Sequence, residues 1–134
     1  MQKIIVSAFA FASACTSTNA ILPISYNTID DSQNRRIIMS YTNTNERSIC
    51  IDISFWPNRS GTINGLNERM NLIVDGVAFS NRNQIDEYCV GECAYRVRPG
   101  GEINASIPYS DFGIPDSMVM GEKTIEFRSL GYLC

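Results

Sequence analysis

The sequence predicts an all-β fold: a single-domain antiparallel β-sandwich of about seven or eight short strands. Three observations predict it. Apolar and polar residues alternate with period two, most clearly where Ile49, Ile51, Ile53 and Phe55 interleave with Ser48, Cys50, Asp52 and Ser54. Turn residues interrupt such windows roughly every 8–12 positions, and no window sustains a helical period. With 134 residues, 44% of them hydrophobic and 19% charged, the chain is long enough for one self-sufficient core and too apolar for a disordered segment.

The N-terminus reads as an address. Lys3 precedes an apolar or small run from Ile4 to Ala14, far short of the ~20 residues that span a bilayer but suited to a secretory leader. Cleavage after Ala20 leaves residues 21–134 as the single domain, with 1–20 as signal peptide. The alternative boundary follows Ala14, making 1–14 the leader and Cys15 a lipid-bearing N-terminus. Ala12-Ser13-Ala14 before Cys15 resembles a bacterial lipobox, with Ala12 where that motif carries Leu. The expected location is therefore secreted or periplasmic, or membrane-anchored through lipid alone.

Within the domain, residues 21–26 form a first apolar segment, and the polar run 30–34 reads as a loop. Residues 36–41 read as a strand, 42–47 as a turn, and 48–55 as a half-buried strand with Cys50 on its less apolar face. Asp75-Gly76 is a type I′ pair joining strands in which Val74 faces Val77 and Leu72 faces Phe79. That register places Met70, Leu72, Val74, Val77 and Phe79 on one face. Arg98-Pro99-Gly100-Gly101 has the order of a type II turn, launching a strand with Ile103, Ala105, Ile107 and Tyr109 on one side. Ile125 and Phe127 alternate with Thr124, Glu126 and Arg128 before the C-terminal Cys134. The pattern resembles an immunoglobulin-like sandwich in architecture, although Trp56 follows Cys50 too closely for the Cys…Trp…Cys spacing of true members.

Of the five cysteines, Cys15 leaves the pairing problem with the leader or the lipid, and four remain: Cys50, Cys89, Cys93 and Cys134. An even set in an exported chain implies disulfides, and the expected pairs are Cys89–Cys93 and Cys50–Cys134. Three residues lie between Cys89 and Cys93, where a thioredoxin-type redox motif has two. A hairpin closed by that bridge would set Asp86 opposite Arg96 and Ile85 opposite Val97. A rival register with a Gly91-Glu92 turn would pair Cys89 with Ala94 and lose the bridge.

The chain has no histidine and a net charge of −3. Imidazole-based catalysis and His-containing zinc sites are excluded, and no nucleic-acid footprint is present. No cofactor or metal is expected, and the expectation is a non-enzyme; a histidine-free carboxylate hydrolase is the distant alternative. Lys123, the single lysine outside the leader, stands in an unremarkable position before a strand. Asn58 and Asn104 open glycosylation sequons, of consequence only in a eukaryotic secretory route. The binding candidates are Asp86, Glu87, Tyr88 and Glu92, an acidic, aromatic-bearing tip held by the Cys89–Cys93 bridge. A rigid loop loses little entropy on binding, which suits an inhibitor or immunity-type protein with another extracytoplasmic protein as partner. A structural or assembly role in the envelope is the alternative.

Overall fold

The computed structural model describes residues 20–65, 69–86 and 89–134; Cys15 and residues 1–19 of the expected leader lie outside them. In chain order the strands are β1 (Leu22–Pro23), β2 (Asn27–Asp31), β3 (Arg36–Thr42), β4 (Ile49–Asp52), β5 (Ile63–Asn64) and β6 (Asn71–Val74). There follow β7 (Val77–Ser80), β8 (Gln84–Ile85), β9 (Ala94–Val97), β10 (Glu102–Pro108), β11 (Lys123–Glu126) and β12 (Leu130–Leu133). The only helical pieces among the described residues are 3-10 turns. Three antiparallel sheets run in the orders β1-β12-β4-β9, β10-β3-β2 and β11-β6-β7, and β5 pairs with β8 in parallel.

One buried cluster joins the sheets. Ile37, Met39 and Tyr41 of β3 meet Ile49 and Ile51 of β4, Leu72 and Val74 of β6, and Ile125 with Phe127 beyond β11, around Trp56 and Phe112. Ile49, Ile51, Leu72, Val74, Ile125 and Phe127 are the alternating positions read from the sequence, because a strand sends every second side chain to one face. The β3–β4 junction is polar and satisfied. Buried Asn43 donates to the carbonyls of Arg47 and Val97 at 2.9 Å each and accepts from Asn45. Its backbone also bonds Gly100 and Gly101, which locks the β3–β4 connection onto the β9–β10 turn.

The two expected turns form. Asp75 (φ 46°) and Gly76 (φ 81°) both take the left-handed conformation, and the register is Val74 opposite Val77 and Leu72 opposite Phe79. Glycine relieves the steric cost at the second of these positions. Gly101 N–H donates to the Arg98 carbonyl at 2.8 Å, closing the other turn. Burial is uneven across the first hairpin: Met70, Leu72 and Val74 are buried, whereas Val77 on the edge strand β7 is 49% exposed.

Three sequence-based expectations change. Asp30 and Asp31 belong to β2, not to a loop, since an edge strand pairs through its backbone and tolerates polar side chains. Asp31 accepts from Asn34 Nδ2 and Arg36 Nε at 2.9 and 2.8 Å. These bonds hold its carboxyl below the usual carboxylate range. Next, the strand expected over 48–55 ends at Asp52. The Asp52 carboxylate accepts from the Ser54 N–H and hydroxyl at 2.9 and 2.6 Å, turning Ile53–Phe55 into a 3-10 turn.

The third change concerns the hairpin that would have set Ile85 opposite Val97 and Asp86 opposite Arg96. It does not form, and neither does the rival pairing of Cys89 with Ala94. β9 pairs with β4 instead, Val97 opposite Ile49, Arg96 opposite Cys50, Tyr95 opposite Ile51 and Ala94 opposite Asp52, while Ile85 pairs in parallel with Asn64. Apolar burial decides between the partners. Ile49, Ile51 and Val97 are buried together in this register, whereas Ile85 remains an exposed residue with nothing comparable to offer.

Candidate functional site: a disulfide-closed loop

The loop singled out from the sequence is held at both ends. On its entry side, Gly65 N–H donates to the Ile85 carbonyl at 2.9 Å, continuing the β5–β8 pairing. On its exit side, Ile53 N–H donates to the Cys93 carbonyl at 2.9 Å, extending the β4–β9 ladder by one bond. Between these anchors Cys89 and Cys93 are bridged, with their Cα atoms 5.7 Å apart. Gly91 carries the reversal with φ 97°.

Asp86 and Glu92 are both exposed at this loop, in keeping with an acidic tip; Glu87 and Tyr88 lie outside the described residues. Sequence reasoning passed over Val90, which is 89% exposed at the apex inside the disulfide ring. Its signal in the sequence was its position within the Cys89–Cys93 ring. The tip therefore combines carboxylates, a protruding apolar side chain and a covalent closure.

The second expected bridge, Cys50–Cys134, also forms, with a Cα–Cα distance of 5.3 Å. It fastens the last residue to β4 beside a bond from Cys134 N–H to the Ser48 carbonyl at 3.1 Å. Its sulfurs lie on the half-exposed face of β4, so the bridge clips the sheet without displacing core. Two disulfides in a small all-β domain point to an oxidising extracellular or periplasmic environment. Among the described residues, no helix is long and apolar enough to cross a membrane.

Lys123 is not the unremarkable residue its sequence position suggested. Its side chain is only 1% exposed. The ammonium reaches Asp30 Oδ2 and the Gly121 carbonyl at 3.0 Å each, and it also donates to the Val119 carbonyl. It stands 4.9 Å from the centroid of the Tyr109 ring, whose hydroxyl donates to the other oxygen of Asp30. Burial, and then the adjacent Asp30 carboxylate, pushes the Tyr109 phenol well above its ordinary range. All three donors of the ammonium are used, so this cluster ties β2, β11 and the turn after β10 together.

Three further acids are engaged structurally: Asp52 caps a turn, Asp75 accepts from the Glu122 N–H, and Asp111 accepts from Asn83. Among the described residues no group of three or more acids and cysteines converges as a metal site. Compared with protein-family models, with characterised proteins and with solved structures, the chain finds no match in any of the three.

Proposed function

We propose that the chain is an exported, non-catalytic protein-binding module of the cell envelope or extracellular space, an inhibitor or immunity-type protein whose contact element is the 86–93 loop. The observation that carries this reading is Val90, 89% exposed inside the Cys89–Cys93 ring and flanked by acids. An apolar side chain held out by a short covalent ring gives contact area at little entropic cost, and the carboxylates steer it toward a cationic surface. The structural engagement of Asp30, Asp31, Asp52, Asp75 and Asp111 supports a non-enzymatic role. The domain carrying the loop is read as a two-layer sandwich of immunoglobulin-like architecture. Support for that layering comes from the neighbouring of β2 and β11, which sets β10-β3-β2 beside β11-β6-β7 over the shared core.

Partner capture tests the proposal. The mature oxidised domain is immobilised and exposed to the extracytoplasmic fraction of its host, alongside a variant carrying Asp86→Ala, Val90→Ala and Glu92→Ala. The expected result is a retained protein whose binding to the variant falls at least tenfold, about 1.4 kcal/mol. Retention of every captured protein at unchanged affinity removes the loop from the account.

A further inference from the structure

A groove of about 580 Å³, lined by none of residues 86–93, runs along β10. Residues 102–106 all line it. Consecutive side chains of a strand point to opposite faces, so a cavity touched by five in a row lies along the strand's edge and meets its backbone. β10 is terminal in its sheet, and among the described residues the backbone hydrogen bonds to 102–106 come from β3 alone. Across the groove stands Tyr95 of β9, itself a terminal strand. The loop with Trp56 and Arg59 forms the far wall, and its closeness to β10 needs a residue without a side chain. A Cβ on Gly61 would stand 2.8 Å from the Ser106 carbonyl oxygen.

Two further features of that wall ask for a ligand. Trp56 is 1% exposed, yet among the described residues its indole N–H has no acceptor. Such an orphan donor is costly. Arg59 is exposed at the groove and forms no ion pair among the described residues, whereas its neighbour Arg36 is engaged with Asp31 at 2.8 Å.

We propose that this groove is a second binding site, separate from the 86–93 loop, which takes an extended segment of a partner polypeptide by strand addition to β10, with a carboxylate of that segment on Arg59. The chemistry selects a polypeptide. An open strand edge over residues 102–105 presents N–H and C=O groups in alternation over roughly 10 Å, and another backbone matches that spacing. The free guanidinium adds the preference for an acidic side chain.

Trp56 is the chain's only tryptophan, so its emission reports on this site alone. The probe is the end-blocked peptide Thr-Val-Asp-Val-Thr, titrated into the full oxidised protein, with the same peptide N-methylated at both valines as control. The expected result is a saturable change in Trp56 emission, slowed amide exchange in 102–106, and no binding of the methylated peptide. Arg59→Ala weakens the peptide about fivefold, the scale of one exposed ion pair. Equal binding of the methylated peptide, or binding that leaves exchange in 102–106 unchanged, overturns strand addition. Saturation by decanoate but not by the peptide assigns the groove to amphiphiles and overturns the proposal. Concentration-dependent self-association that alters Trp56 emission without peptide assigns it to a second copy, with the same consequence.

Discussion

Loss of the Cys50–Cys134 bridge, as in the double variant Cys50→Ala/Cys134→Ala, lowers the free energy of unfolding by about 4.5 kcal/mol. The reasoning is the entropy of the unfolded chain. The bridge spans 84 positions and closes most of the domain into a loop, so cutting it frees many more unfolded conformations than cutting a short one. Cys89–Cys93 spans 4 positions, and Cys89→Ala/Cys93→Ala costs only about 2 kcal/mol in the same treatment. Urea unfolding of the two variants beside the oxidised parent gives the ordering directly. The long bridge governs folding and the short one governs the shape of the loop, so the second variant keeps its fold while losing partner affinity. Equal losses for the two variants would mean that the Cys50–Cys134 clip does not constrain the chain as described.

Replacing Lys123 with Met costs about 3 kcal/mol, the lower end of what breaking a buried pair costs, because Asp30 keeps partial access to water. The substitution removes the ammonium and strands the Val119 and Gly121 carbonyls along with the carboxylate. Adding Asp30→Asn to Lys123→Met recovers part of the loss, and the resulting double-mutant cycle measures the coupling. The same cluster fixes the alkaline limit. Tyr109 holds its proton more tightly folded than unfolded, so this contribution is intact below about pH 10, the ordinary phenol value, and is lost as pH rises through the raised folded value. Burial raises Tyr26, Tyr41 and Tyr95 in the same direction. Thermal melts of Tyr109→Phe therefore show a shallower decline above pH 10 than those of the parent. Identical alkaline limbs would place the titrating group elsewhere.

What was legible in the sequence was local. Asp75-Gly76 dictates its own turn and thereby the register of β6 on β7. Ile49 and Ile51 announce a buried face, and an even set of cysteines with one closely spaced pair leaves few plausible bridges. The partner of β9 was not legible, because two candidate strands of acceptable polarity competed and the choice rested on how much apolar surface each buried at long range. Lys123 and Asp30 lie 93 positions apart, so nothing in either neighbourhood signals that the lysine is buried and paired. Polar β2 looked like a loop because its stability lies in backbone bonds to β3 and in Arg36 and Lys123, not in apolar side chains. The candidate loop was found through its cysteines, while its apex residue and the β10 groove emerged only from the surface.

Intact mass and non-reducing peptide mapping of protein recovered from its own host test the extracytoplasmic account most directly. The account predicts a chain beginning at Ile21, or at a lipid-modified Cys15, with covalently joined peptides containing Cys50 with Cys134 and Cys89 with Cys93. Recovery of the stable, folded product with residues 1–14 retained and all of its thiols open to alkylation would contradict it.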